Sequence, residues 1–262
     1  MIKNSLKNIL KNILFFVGLL AAWQLIYYLG TQVLEWWKPY AVPNPIGVWN
    51  SFVRLLMDGG LLLAVLASLK RAFLGFVISI VLGGVIGLAI TNSSYLNQNL
   101  KPVLLGVQAL PSICWVPFAI LWYGLNEKSI IFVVVMGSIF SISLTVENGF
   151  KSVLPIYVKA AKTMGANQKD LYFRVLLPAA LPTFIVGLKQ GWSFAWRALM
   201  AGEVMSATIG LGYTLMMGRD TADINQVMAV MVIIVIVGIV IEKLIFDAVE
   251  RKVLSKRGLI KG

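Results

Sequence analysis

Six long apolar runs follow one another along the chain, and polar segments separate them. They cover approximately residues 13–29, 73–90, 104–123, 129–145, 179–201 and 227–246. Each run has 17 to 23 residues, close to the roughly 20 that a helix needs to cross the hydrocarbon core of a bilayer. The pattern predicts an all-α integral membrane protein with six transmembrane helices. The third helix is the least regular, because Pro111 and Pro117 lie inside it.

Composition and charge agree with a membrane protein and set its orientation. Only 13% of the residues are charged, against about 25% in soluble domains. Of the 23 lysines and arginines, 15 lie on the side of the two termini, four lie in the opposite loops, and four lie in or beside the runs. Basic loops face the cytoplasm, so we expect a multi-pass membrane protein with both termini cytoplasmic. These loops account for the net charge of +12 without a nucleic-acid partner.

Several kinds of catalytic and metal site are excluded by residue type. The chain has no histidine and a single cysteine, Cys114. It therefore has no histidine base, no Ser-His-Asp triad and no histidine- or cysteine-cluster metal site. A phosphate-binding loop of the form GxxxxGK[ST] is also absent, so any ATP that the protein uses would bind to another chain.

Four segments follow from the order of runs and loops. Residues 1–30 form an N-terminal cytoplasmic tail and the first transmembrane helix, and residues 31–63 form an external loop. Within that loop, residues 48–56 have the pattern of a short amphipathic helix. Residues 64–250 form a five-helix core with a cytoplasmic loop at 146–178. Residues 251–262 form a basic cytoplasmic tail.

The cytoplasmic loop predicts two short helices around a break. Gly165 can end the first helix in a left-handed conformation. Asn167 can cap the second helix, with Asp170 at its third position. Pro178 then opens the fifth transmembrane helix. The adjacent alanines at 160–161 offer a flat surface that another backbone can approach closely.

This loop resembles the cytoplasmic signature of the membrane subunits of bacterial binding-protein-dependent ABC importers. The signature is Glu-Ala-Ala, three residues, Gly, nine residues and Ile-x-Leu-Pro. The matching positions are Ala160, Ala161, Gly165, Val175, Leu177 and Pro178. Lys159 departs from the signature, which usually has glutamate there. Residues 42–45, 68–71, 110–112 and 116–117 resemble the nitrate, sulfonate, taurine and bicarbonate branch of these importers.

The resemblance implies a fold, a role and a set of partners. The fold is the type I ABC importer transmembrane fold in the bacterial inner membrane. The role is that of a permease subunit, not an enzyme, that binds no cofactor itself. Such subunits pair, here as an expected homodimer, and dock their cytoplasmic loops on separate ATPase chains that hold ATP and magnesium. An external binding protein delivers the solute, and the branch favours a sulfonate, taurine, nitrate or a similar small anion.

Two other functions remain as alternatives. The same machinery could import a vitamin precursor, such as a pyrimidine of thiamine biosynthesis. A different class is the ion-driven secondary transporter, which usually shows internal repeats and acidic ion sites at mid-membrane. The chain shows no internal repeat, and we predict no acidic residue securely inside a span.

Three charged residues lie in the fifth run or near its end: Lys189, Arg197 and Glu203. A charged side chain facing lipid at mid-bilayer costs about 2.5–3.5 kcal/mol, so we expect the two basic residues to face protein or water. One interpretation is a basic lining of the translocation pathway, with Glu203 structural or gating. The other is an Arg197–Glu203 ion pair, with Lys189 paired or reaching to the interface. Gly-x-x-x-Gly patterns at Gly83 and Gly187 predict close helix packing within the subunit.

Overall fold

A computed structural model of the chain describes the backbone of residues 2–256 and the side chains of residue 11 and residues 14–255. This part of the chain is almost entirely helical and contains no β-strand. The helices are α1 Ile2–Tyr28, α2 Pro45–Met57, α3 Gly60–Asn92, α4 Ser94–Gln108, α5 Val116–Tyr123, α6 Glu127–Lys151, α7 Pro155–Thr163, α8 Gln168–Val204, α9 Leu211–Asp220 and α10 Ile224–Ser255. The amphipathic helix predicted at 48–56 lies within α2.

Five helical segments in the described residues are long and apolar enough to cross a membrane. They are Leu14–Val33, which includes most of α1, and the helices α3, α6, α8 and α10. A sixth span is present if α4 and the segment Ser112–Tyr123 count as one broken span. The six predicted runs therefore correspond to five continuous segments and one bent pair.

The third run is not the single helix that its apolar pattern predicts. Helix α4 ends at Gln108, and the chain bends by 100° before a 3₁₀ turn at Ser112–Trp115 leads into α5. Pro111 explains the break, because it lacks an N–H and disfavours the helical conformation of the residue before it. Pro117 lies in the first turn of α5, where the missing N–H has no consequence.

The prediction that Pro178 opens the fifth span is wrong. Helix α8 already begins at Gln168 and continues for 37 residues. Residues Leu171–Leu176 form a π-helical turn, in which the N–H of Leu177 bonds to the carbonyl of Tyr172. The wider turn lies directly before the proline, whose ring and missing N–H are incompatible with regular α-helical bonding. The last part of the predicted loop, from Gln168, and the span thus form one helix.

The described chain divides into two compact units. The first comprises the described part of Met1–Ala64 together with Thr214–Ile234. The second comprises Val65–Tyr213 together with the described part of Val235–Gly262. The predicted segment boundaries at residues 30, 63 and 250 stay predictions, and residues 257–262 of the predicted basic tail lie outside the described residues.

Within the first unit, polar contacts join α2 to the start of α10. The side chain of Asn44 caps α2 by accepting from the N–H of Gly47 at 2.6 Å. The N–H of Asn44 donates to the side-chain oxygen of Asn225 at 3.1 Å. Arg54 pairs with Asp223 at 2.6 Å. Residues far apart in sequence therefore hold α2 in place.

The second unit is built around α6, which packs closely against α3 and α8. A Cβ atom added to Gly87 of α3 would come within 2.5 Å of the carbonyl oxygen of Ser143 in α6. Gly83 approaches α6 in the same way, with Ile139 as its backbone neighbour. Gly187 of α8 lies against α6 as well. Both Gly-x-x-x-Gly patterns therefore serve packing within the subunit, as predicted.

Helix α6 extends past the predicted end of its run and carries a fully buried carboxylate. Glu147 pairs with Lys101 of α4 at 2.8 Å and with Lys151 at 2.5 Å. The amide of Asn97 donates a further hydrogen bond at 3.1 Å. Glu147 lies four residues before the end of α6, so the prediction that no acidic residue lies securely inside a span stays a prediction.

Candidate functional site

Residues 155–178, for which the sequence predicts coupling to an ATPase and which are here called the coupling segment, include α7 and the first turns of α8. A Schellman motif closes α7, because the N–H of Ala166 donates to the carbonyl of Ala161 and the N–H of Gly165 donates to the carbonyl of Lys162, both at 3.0 Å. Gly165 has a φ of +81°, which a residue with a Cβ atom seldom adopts. The predicted helix end at Gly165 is confirmed.

The start of α8 also follows the prediction. The side chain of Asn167 accepts a hydrogen bond from the N–H of Asp170 at 2.9 Å, which is the N-cap arrangement expected from the sequence. The carboxylate of Asp170 then pairs with Arg174 one turn later at 3.2 Å. Helix α8 continues to Val204, so this cap and the membrane span belong to one helix.

The coupling segment presents an apolar surface that nothing in the described chain covers. Met164 is 87% exposed, and Ile156 and Tyr157 are also exposed. The signature positions lie beside or within this surface with graded exposure: Lys159, Ala160, Gly165 and Leu177 are exposed, whereas Ala161, Val175 and Pro178 are half-buried. Exposed large apolar side chains on a short helix are typical of a protein-binding surface.

Glu203 lies at the centre of a buried polar network in the second unit. Its carboxylate is fully buried and pairs with Arg71 of α3 at 2.9 Å. The hydroxyl of Ser68 lies 2.7–2.8 Å from both carboxylate oxygens, and the N–H of Gly212 donates to the carboxylate at 3.0 Å. The guanidinium of Arg71 also bonds to Glu127 at 2.9 Å. The network therefore joins α3, α6 and α8 to the start of α9.

The Arg197–Glu203 ion pair that the sequence suggested as an alternative is not formed. Glu203 has Arg71 as its partner instead, a residue 132 positions earlier in the chain. Positions 197 and 203 lie six residues apart on one helix, and side chains at this spacing do not face each other. A gating role for Glu203 stays a prediction.

Lys189 lies among three carboxylates of α10 in the second unit. Its ammonium group is 2.7 Å from Asp247, 3.2 Å from Glu242 and 3.9 Å from Glu250. Three negative charges around one positive charge repel an anion. The pathway role of Lys189 stays a prediction, and the geometry favours the alternative in which Lys189 is paired.

Arg197 has a different environment. Its Nε–H donates to the carbonyl of Ser193 at 3.1 Å, and its Nη2 donates to the Ser193 hydroxyl at 3.3 Å. The guanidinium lies 4.8 Å from the centre of the Phe194 ring. In the described part of the chain, no carboxylate lies within ion-pair distance of Arg197. The side chain lines a cavity of about 310 Å³ next to the break between α4 and α5.

A family model described as the inner membrane component of binding-protein-dependent transport systems matches residues 75–255, more than half of the chain. The chain belongs to this family. The permease is 29% identical to the putative aliphatic sulfonates transport permease SsuC of Bacillus subtilis over 97% of its own length and 90% of that protein. It is 26% identical to the taurine transport permease TauC of Escherichia coli, with 89% of each chain covered. It is 25% identical to the nitrate import permease NrtB of Synechocystis, with 78% of each covered.

Solved structures agree with the fold. The permease superimposes on a chain of the MetNI methionine ABC transporter with a TM-score of 0.59 and 22% identity, covering 73% of the permease and 95% of that chain. An amino acid ABC transporter gives a TM-score of 0.64 at 15% identity, covering 76% and 97%. The permease therefore has the type I ABC importer fold that the resemblance implied.

The sequence alone did not identify Ser68, Arg71 and Glu147 as parts of buried networks in the permease. Ser68 and Arg71 fall in the segment 68–71 that resembled the family, yet nothing in the sequence indicated their partner. Arg71 lies next to a long apolar run, and this position could have indicated a buried ion pair. A buried charge needs a partner of opposite charge. Among the described residues, no group of three His, Cys, Asp or Glu side chains could hold a metal ion.

Proposed function

We propose that this permease imports a small anion of the kind named for its sulfonate, taurine and nitrate relatives, and that separate ATPase chains drive it through the coupling segment. The observation that carries this proposal is the single helix α8, which joins the coupling segment to the membrane span. At 1.5 Å per residue, its 37 residues extend over about 55 Å. The turn at Gly165 lies just before the N-terminal end of α8, and Arg197 lies near the C-terminal end of the same helix.

The proposed coupling follows from this continuity. The exposed apolar side chains of Ile156, Tyr157 and Met164 would dock into a cleft on the ATPase. The Schellman turn at Gly165 fixes the angle between α7 and α8, so a movement of the docked α7 would tilt α8. ATP and magnesium would bind to the ATPase chains, and this permease would supply no catalytic group.

The remaining partners belong to the same proposal. A second copy of the chain would complete the pore, and an external solute-binding protein would deliver the anion. The basic loops support an orientation in a bacterial inner membrane in which both termini and the coupling segment would face the cytoplasm. Family membership favours this machinery over an ion-driven transporter, and no feature of the described residues favours a thiamine-related pyrimidine over an anion.

The test compares two substitutions at Gly165 in the permease co-expressed with its ATPase chains. Gly165→Val forces a β-branched side chain into a left-handed conformation, at a cost of about 1–3 kcal/mol. Gly165→Asn is the matched control, because asparagine tolerates that conformation best among residues with a side chain. A Cβ atom at this position meets no neighbour, so the two variants differ in backbone strain and not in steric clash.

We expect wild type and Gly165→Asn to co-purify with the ATPase and to support solute-stimulated ATP hydrolysis. We expect Gly165→Val to lose most of the stimulation while it still inserts and folds. Failure of the folded wild-type protein to associate with any ATPase chain would overturn the proposal. Normal coupling by Gly165→Val would overturn the assigned role of the turn.

A further inference from the structure

The cavity beside Arg197 lies at the point where the third span is broken. The chain bends by 100° between α4 and the segment Ser112–Tyr123, and residues on both sides of the bend line the cavity. Helices α6 and α8 complete the wall with Met136, Phe140 and Phe194. A volume of about 310 Å³ lies at the lower end of the range found for small-molecule sites.

Arg197 provides this cavity with an uncompensated positive charge. A guanidinium has five N–H donors, and two of them bond to Ser193. The remaining three have no partner among the described residues. Stacking on Phe194 and both bonds to Ser193 hold the group in one orientation. A fixed guanidinium with free donors is suited to bind the oxygens of an anionic group.

The rest of the cavity is mainly apolar. Leu110, Ile113, Trp115 and Phe140 are among its lining residues. The polar exceptions are Ser112 and Gln108. The side-chain oxygen of Gln108 is enclosed and has no hydrogen-bond partner in the described part of the protein. The cavity therefore combines a cationic group with several apolar side chains that can pack against hydrocarbon.

We propose that this cavity is a substrate contact site of the permease and that it takes an aliphatic sulfonate. The sulfonate group would bind to the guanidinium of Arg197, and the carbon chain would lie against Trp115 and Phe140. This inference rests on the proposed import of a small anion, and it selects one class among the anions named for the relatives.

The same chemistry disfavours an inorganic oxyanion such as nitrate. Nitrate has no hydrocarbon part, so it gains nothing from Leu110, Ile113, Trp115 and Phe140 in the lining. A sulfonate with a carbon chain has one end that needs donors and one end that does not, which matches the two parts of the cavity.

The test measures binding to the purified permease–ATPase complex by isothermal titration calorimetry. The probes are methanesulfonate, butanesulfonate and nitrate. The variant is Arg197→Gln, and the matched control is Arg219→Gln, which removes the same charge from an exposed position outside the cavity. Arg197→Lys keeps the charge but loses the paired donors.

We expect butanesulfonate to bind at least about tenfold more tightly than nitrate, and more tightly than methanesulfonate because of its longer chain. Arg197→Gln should weaken butanesulfonate binding by about tenfold or more, since charge-assisted hydrogen bonds are the strong ones. The affinity of Arg197→Lys for butanesulfonate should lie between those of wild type and Arg197→Gln. The affinity of Arg219→Gln should match that of wild type.

Equal affinity for nitrate and butanesulfonate would overturn the inference, and so would the absence of binding to wild type or normal binding to Arg197→Gln. The comparison of probes in wild type needs no variant, so it holds even if Arg197→Gln does not fold. These failures would leave ATPase association and the Gly165 variants unaffected. A failure of the proposed function itself would appear in those two measurements.

Discussion

Arg71 and Arg197 are two arginines in long membrane helices of the same unit, and their surroundings are opposite. Arg71 is only 2% exposed, and its guanidinium bonds to Glu203, Glu127 and the carbonyl of Ile209. Arg197 is exposed, has no carboxylate partner among the described residues and lines a cavity. The first charge is neutralised inside the protein, and the second remains available to a ligand.

Because of this difference, we expect Arg71 to contribute to stability and Arg197 to contribute to solute binding. A buried charge that loses its partner is strongly destabilising, whereas an exposed charge contributes little to folding. We therefore expect substitutions of Arg71 to unfold the permease, and substitutions of Arg197 to change what it binds. The three predictions below test this comparison at the two arginines, at Lys189 and at the Arg54–Asp223 pair.

The largest effect is expected for Arg71→Met. The substitution leaves the carboxylate of Glu203 fully buried and without its charge partner, at a cost of about 3–5 kcal/mol in the free energy of unfolding. Arg197→Met should change that free energy by less than about 0.5 kcal/mol, as for other exposed positions. Denaturant titration of the purified permease in detergent measures both values.

The control is the double variant Arg71→Met/Glu203→Met, which removes both partners of this buried ion pair. Because replacement of a buried ion pair by apolar residues is often neutral, the double variant should recover at least half of the lost stability. Equal destabilisation by Arg71→Met and Arg197→Met would show that the comparison between the two arginines is wrong.

The features that the sequence predicted are local, and those that it missed join distant residues. The end of α7 at Gly165 and the cap at Asn167 follow from residue types within a few positions. The partner of Glu203 lies 132 positions away in Arg71, and hydrophobic periodicity contains no information about such pairs. The break near Pro111 was visible as a proline in the sequence, but the angle of 100° depends on packing against α6.

Lys189 is expected to give an intermediate effect. Lys189→Met leaves Glu242, Asp247 and Glu250 close together without a counter-charge, and the site is partly exposed. We expect a loss of about 1–2 kcal/mol, between the values for exposed and buried pairs. The additional substitution Asp247→Asn should recover part of it. Transport assays with butanesulfonate should show an unchanged KM for Lys189→Met, and a raised KM would instead place Lys189 in the pathway.

The smallest effect is expected at the exposed pair Arg54–Asp223 in the first unit. Burial alone would raise the pKa of Asp223, but the hydrogen bonds from Arg54 and from the N–H of Gln226 outweigh it, so the pKa lies below its ordinary value of 3.8. A lowered pKa in the folded state stabilises the protein above the ordinary value, and this contribution is lost as the pH falls below about 4 through the folded-state pKa. For a pair this exposed, with relative side-chain exposures of 52% and 26%, the contribution is about 0.2–1 kcal/mol.

Asp223→Asn measures this contribution, because the asparagine oxygen can still accept from the N–H of Gln226 and cap α10, whereas the charge and the oxygen that accepts from Arg54 are lost. We expect the variant to unfold at a slightly lower temperature than wild type at pH 7, and we expect this difference to disappear as the pH falls through the folded-state pKa of Asp223. Asp220→Asn, at an exposed aspartate at the end of α9, should match wild type across this pH range. A difference between wild type and Asp223→Asn that does not shrink at acidic pH would mean that the side-chain shape of Asp223 matters and its charge does not. The contact with Arg54 would then stabilise the fold by packing, unlike the ion-paired network around Arg71.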